Sequence, residues 1–166
     1  MLICETARLI VRKFTIDDAP FIWSLLNSPT WIQFLGDRNI QTLADAQQYL
    51  TNGPLASYAL RGFGLYLVAM KDSGVPIGMS GLIKRDGLEY VDVGFALLPE
   101  YMGQGYAYEA TKAVMDYGYN TLQLPHIVAI ARADNKHSLA LLAKLGLKFS
   151  DTVMLAGIEH PLSLFK

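Results

Sequence analysis

Apolar residues change their spacing several times along this chain. Arg8 to Phe14 is a short run of strand length and reads as a first strand. Thr15-Ile16-Asp17-Asp18 opens a helix, with a hydroxyl cap and early carboxylates facing the positive end of the helix dipole. That helix stops before Ser28-Pro29, because the residue ahead of a proline is pushed out of the helical region. Thr42-Leu43-Ala44-Asp45 opens a second helix in the same manner, running to about Leu50. Between them, Thr30 to Ile40 carries Trp31 and Phe34 and fits either a loop or a short helix. The middle is β: Leu65 to Lys71, Pro76 to Lys84 and Leu88 to Leu98, with turns at Asp72-Ser73-Gly74 and Asp86-Gly87. These three predict an antiparallel meander.

Past Pro99 the period becomes helical. Tyr106, Ala110, Ala113, Val114 and Tyr117 fall on one face of a helix from Gln104 to about Asn120, with Gly103 and Gly105 at its start. His126 to Arg132 is a β-branched strand. Asp134-Asn135 caps a further helix whose Leu139, Leu142 and Leu145 point inward and which Gly146 ends. Phe149 to Leu155 and Leu162 to Phe165 form a closing hairpin. The order β-α-α-β-β-β-α-β-α-β-β predicts an α/β (α+β) fold, one domain over residues 1–166 with a mixed, mostly antiparallel sheet of seven strands and about four helices.

Composition narrows the function classes. Hydrophobic residues make up 52% and charged residues 17%, which suits a packed core and excludes a disordered chain. With 14 basic against 15 acidic residues there is no basic excess to neutralise a nucleic-acid backbone. Cys4 is the single cysteine, so no internal disulfide forms, and no Cys/His cluster has metal-ligand spacing. No metal is expected. The first residues lack the basic and apolar regions of a signal peptide, and no apolar run reaches the ~18 residues of a membrane span. A cytoplasmic protein without membrane or nucleic-acid partners is the expectation.

The chemistry concentrates where the strand ending at Leu97-Leu98-Pro99 leads through Gly103-Gln104-Gly105 into a helix. A helix start leaves backbone N–H groups unpaired and carries partial positive charge, and glycines let a phosphate approach them. The alternative is that the two glycines only make a tight strand-to-helix turn. No Gly-Lys-Ser/Thr follows, so this is not a nucleotide P-loop, and the third glycine of a dinucleotide fingerprint is missing.

Pro99-x-x-x-Gly103-x-Gly105-Tyr106-Ala107-x-Glu109-Ala110 resembles the acetyl-CoA signature of the GCN5-related N-acetyltransferase (GNAT) superfamily, and within it the RimJ/RimL-like branch of ribosomal-protein N-terminal acetyltransferases. Glu5 to Arg12 resembles that branch's opening strand, Asp92-Val93-Gly94-Phe95 the strand leading to the cofactor turn, and Asn135-x-x-Ser138-x-x-Leu141-Leu142-x-Lys144-Leu145-Gly146 the later motif. The resemblance covers nearly the whole chain. It departs at Met102, where the superfamily usually has Arg or Gln, and at Leu142, where many members carry a tyrosine able to act as a general acid.

The resemblance implies an N-acetyltransferase that moves an acetyl group from acetyl-CoA to a primary amine, directly, in a ternary complex. Met102, Gly103, Gln104, Gly105, Tyr106 and Ala107 would hold the pyrophosphate, Leu97 and Leu98 would flank the thioester with an oxyanion donor, and Asn135 would contact the pantetheine arm. Asp92 is the first candidate for the base, ahead of Glu89 and Glu100, and Ser138 for the proton donor to the leaving thiolate. Each also has a plain structural reading: a paired strand carboxylate, a first-turn serine, an N-cap. Trp31, Phe34 and Tyr66 would line an acceptor pocket or belong to the core, and His126, His137 and His160 are weaker candidates for a base. The acceptor would be a protein N-terminus or a small amine, and a homodimer is a common assembly of the fold. A non-catalytic acyl-CoA-binding module is the alternative.

Overall fold

The computed structural model describes all residues from Met1 to Lys166. Its opening strand has a partner: β1 (Leu2–Glu5) folds back on β2 (Leu9–Arg12), so the strand expected from Arg8 is the second arm of a hairpin. Four residues, with Leu2 and Glu5 both exposed, give no in-and-out alternation that a sequence pattern could register. After β2 the Asp18 carboxylate accepts hydrogen bonds from the Thr15 amide at 2.8 Å and from both terminal nitrogens of Arg12 at 2.9 and 2.8 Å. This knot starts α1 (Ala19–Leu26). The ambiguous stretch is a helix, α2 (Pro29–Leu35), with Pro29 at the first position, where a missing N–H costs nothing.

The next helix has the expected bounds, and the chain stays helical beyond it. α3 (Leu43–Leu50) begins with reciprocal capping between Thr42 and Asp45. A π-helical turn, Thr51–Leu55, then carries the chain past Pro54 into α4 (Ala56–Arg61). The wider turn accommodates a residue that has no N–H to donate.

β3 (Leu65–Met70), β4 (Pro76–Ile83) and β5 (Val91–Leu97) form the antiparallel meander. The remainder is α5 (Tyr106–Asn120), β6 (Ile127–Ala131), α6 (Lys136–Lys144), β7 (Phe149–Val153) and β8 (Leu162–Phe165). The sheet has eight strands, not seven, in the order β1-β2-β3-β4-β5-β6-β8-β7. All neighbours are antiparallel except β5 and β6.

That parallel pair positions the site. β5 and β6 match only at Val91 with Ile127 and Asp92 with Val128. From Ala129 onward β6 pairs only with β8, on its other edge. The edge of β5 beyond Asp92 is therefore left open on the β6 side. Each face of the sheet has its own core. Val68, Val93 and Ala129 pack with Ala110, Val114 and Leu142 on the side of α5 and α6. Leu67, Ala69 and Met79 pack with Phe14, Ile22, Leu25 and Leu50 on the side of α1 to α3. The wedge is thus built between two fixed layers.

Burial pushes the Asp18 carboxyl up, but the hydrogen bonds from Arg12 and Thr15 outweigh it and hold it below the ordinary range. A lowered native pKa contributes stability above the unfolded value of about 3.9 and loses it as pH falls through the native value. Asp18→Asn should therefore be less stable than the parent by a constant margin from about pH 5 to 8. That margin should narrow below about pH 4 in urea unfolding.

Candidate active site

The chain leaves β5, makes a single 3-10 turn at Pro99–Tyr101 and enters α5. Gly103 and Gly105 take φ of 76° and 85°, and any other residue there would carry about 1–2 kcal/mol of strain. The Met102 amide donates to the Pro99 carbonyl, and the Glu109 amide begins the helical ladder on the Gly105 carbonyl. Between them, the amides of Gly103, Gln104, Gly105, Tyr106, Ala107 and Tyr108 donate to nothing within the protein. A row of unpartnered N–H groups at the positive end of a fifteen-residue helix suits an anion.

This turn forms one end of a cavity of about 320 Å³. Phe95 and Leu97 of the open β5 edge line it, with Thr30, Trp31, Phe34 and Leu35 of α2 and Asn135, Ser138, Leu141 and Lys144 around α6. α2 is held in place at both sides. Thr30 Oγ1 approaches the Met102 sulfur at 3.9 Å, and Arg132 donates to the Gln33 carbonyl at 2.9 Å while its guanidinium lies 5.8 Å from the Phe34 ring centre. Most of the lining is apolar, and no carboxylate belongs to it. Its one lysine is Lys144, which sits 4.3 Å over the Tyr108 ring, and His137 lines it as well.

Leu98 and Leu97 differ in what they can donate. The Leu98 amide is taken, bonded to the Ile77 carbonyl at 2.8 Å, and its side chain packs on the α1–α3 side. Hydrogen-bonding direction alternates along a strand, so the Leu97 amide faces the open edge. Asp92 lies at the apex of the wedge, 1% exposed, with Oδ1 3.0 Å from Arg85 Nε. It does not line the cavity. Burial drives its carboxyl above the ordinary range, and Arg85 opposes that shift. The Asp92 carboxylate is thus enclosed and paired with Arg85, outside the lining of the cavity.

Comparison with known proteins bears on this arrangement. The family model described as an acetyltransferase (GNAT) domain matches residues 8–148. The chain belongs to the GNAT acetyltransferases. The uncharacterized N-acetyltransferase YoaA of Bacillus subtilis is 28% identical over 146 residues, covering 87% of this chain and 81% of that protein. The spermidine N(1)-acetyltransferase of Escherichia coli is 36% identical over 56 residues, which span 34% of this chain and 30% of that protein. In fold, the ribosomal L7/L12 α-N-protein acetyltransferase RimL in complex with coenzyme A superposes with a TM-score of 0.84 at 17% identity, over 99% of this chain and 96% of that one.

For a GNAT chain the motif residues fall together. Leu97, Met102, Gly103, Gly105, Tyr106, Ala107, Asn135 and Ser138 all line the one cavity. Gln104 contributes its free amide, while its side chain donates to the Glu100 carbonyl. Leu98 and Asp92 stay outside, as do Glu89 and Glu100. Tyr66 is fully buried in the α5-side core, and Leu142 lies beside it there, leaving Leu141 as the α6 leucine that faces the cavity. His126 packs against Tyr90 instead, and His160 is likewise absent from the lining. Tyr108, Leu141 and Lys144 line the cavity as well, although the sequence alone assigns them no individual role. Lys144 could have been found: it stands three residues after Leu141, which itself stands three after Ser138, each pair neighbours on the helix surface.

Removing Arg85 should expose what Asp92 needs. Its native pKa, already raised, would rise further, so the unpaired carboxylate would be tolerated only when protonated. Arg85→Ala should destabilise the protein by about 1–3 kcal/mol at pH 8 and by less at pH 5. Adding Asp92→Asn should remove that pH dependence in thermal melts.

Proposed function

We propose that this chain transfers an acetyl group from acetyl-CoA to the α-amine of a peptide, directly, in a ternary complex. The row of unpartnered amides from Gly103 to Tyr108 at the mouth of an apolar cavity carries the donor half of this reading. Those amides would receive the pyrophosphate. The open β5 edge would admit the pantetheine arm, with the Leu97 amide donating to the thioester oxygen as charge develops on it. Asn135 accepts from the Ser138 amide at 3.3 Å through Oδ1, which leaves Nδ2 for the arm. Ser138 Oγ makes no hydrogen bond within the protein and lines the cavity, ready to donate to the departing sulfur.

The acceptor half rests on what the cavity lacks. A polyamine is a cation along its length and calls for carboxylates, yet none lines the cavity and Lys144 does. An α-amine has a pKa of about 7.7–8.0, against about 10.4 for a lysine-like amine. A sizeable share of α-amine is therefore neutral near pH 7.5 without a strong base, which fits a cavity lined by no carboxylate. The fold-level likeness to RimL agrees with this, and the likeness to the spermidine enzyme spans only a third of the chain.

The decisive assay is thiol release from acetyl-CoA with a panel of short peptides and with spermidine. Peptide-dependent release, with spermidine much poorer, is expected; the reverse preference would refute the acceptor. Tight acetyl-CoA binding with no release by any amine would favour a non-catalytic binding module. Two variants test the donor geometry. Gly105→Val should bind acetyl-CoA at least about tenfold more weakly while carrying about 1–2 kcal/mol of backbone strain and remaining folded. Ser138→Ala should lower kcat by about tenfold to a hundredfold with acetyl-CoA affinity retained.

A further inference from the structure

The first turn of α5 carries a negative charge that works against an anion site. Glu109 stands one turn beyond Gly105, its amide bonded to the Gly105 carbonyl at 3.1 Å. Burial pushes its carboxyl up, but hydrogen bonds from Thr6 and Arg8 bring it below the ordinary range, so it is ionised at neutral pH. A carboxylate near a helix start suits the dipole. Outside the cavity lining, yet one helical turn from the free amides, it is a like charge to any pyrophosphate they hold.

The hairpin between β1 and β2 answers that charge. The Arg8 amide donates to Glu109 Oε2 at 3.0 Å and Arg8 Nε to Oε1 at 2.8 Å, and the Thr6 hydroxyl bonds the same carboxylate. The same guanidinium donates to the Gln104 carbonyl at 3.1 Å and lies 4.3 Å over the Tyr106 ring centre. A methyl placed on Gly105 would come within 3.3 Å of Arg8 Nη2. One side chain, 44% exposed, therefore touches or abuts Gln104, Gly105, Tyr106 and Glu109 together.

We propose that Arg8 is a positioning residue for the acetyl-CoA turn: it braces the turn through the Gln104 carbonyl and the Tyr106 ring, and it neutralises Glu109 so that the free amides face the pyrophosphate without an opposing charge. This rests on the donor site proposed above. Thr6 and Arg8 lie about a hundred residues from the turn in sequence, so the coupling exists only in the folded chain. Arg8 forms no step of the chemistry. Its effect is on how tightly the turn holds an anion.

Calorimetric titration of the full chain with coenzyme A tests this. Arg8→Ala should weaken binding about tenfold, because it leaves Glu109 as an unpaired charge. Glu109→Gln, whose single carbonyl oxygen can still accept from the Thr6 hydroxyl and the Arg8 amide, should bind at least as tightly as the parent. The double variant Arg8→Ala/Glu109→Gln should recover to within about threefold of the parent, which mere loss of a brace would not allow. The ratio between parent and Arg8→Ala should also shrink between about 0.05 M and 0.5 M salt. Parental affinity in Arg8→Ala, weaker binding in Glu109→Gln, or a double variant as weak as Arg8→Ala would each overturn the proposal. A parent protein that does not bind coenzyme A would instead refute the donor site, and the two failures are thereby distinct.

Discussion

Six amide groups in a row, Gly103 to Tyr108, donate to nothing inside the protein. An N–H group sealed away without an acceptor costs about 1–3 kcal/mol, so such a row has to open on solvent or on a ligand. Here it opens on a cavity. The two left-handed glycines let the chain reverse there without side chains covering the amides. Two features adjoin that row: the 3-10 turn that delivers the chain to it, and the Arg8–Glu109 contact that ties the β1–β2 hairpin to the start of α5.

The second constraint is the two-residue pairing of β5 and β6. A sheet of neighbours that stayed paired would leave no slot beside Leu97. Beyond Asp92 and Val128 the two strands part, β6 stays in the sheet through β8 on its far edge, and α2 and α6 wall the gap. The same geometry explains the isolation of Asp92. It sits where the strands are still joined, so its carboxylate meets Arg85 and not the cavity. The chemistry that remains, amide donors and a free serine hydroxyl, fits acyl transfer to an amine that is already partly neutral.

Much of this is legible in the sequence. The switch from two-residue to helical spacing at Pro99, with Gly103 and Gly105 behind it, placed the turn and its helix. The cap residues Asn135 and Thr42 placed two more helix starts, and both side chains accept the bonds expected of caps. What escaped was long-range or local-exception physics. β1 has no pattern because it is a short exposed edge. Pro54 signals a helix break, yet a π turn absorbs it. Asp92 aligned with a catalytic carboxylate by position, but whether a strand residue faces a slot depends on where the neighbouring strand departs. Arg8 and Glu109 were both within quoted motifs, and only folding shows that they meet.

The central claim is that the Gly103–Tyr108 amides bind the diphosphate of the donor. Backbone amide NMR during titration with coenzyme A tests it directly, since each of these N–H groups reports its own hydrogen bond. The account predicts that the largest shifts fall on Gly103 to Tyr108, with smaller ones along the β5 edge near Leu97. Saturating shifts elsewhere, with these six signals unmoved, would contradict it.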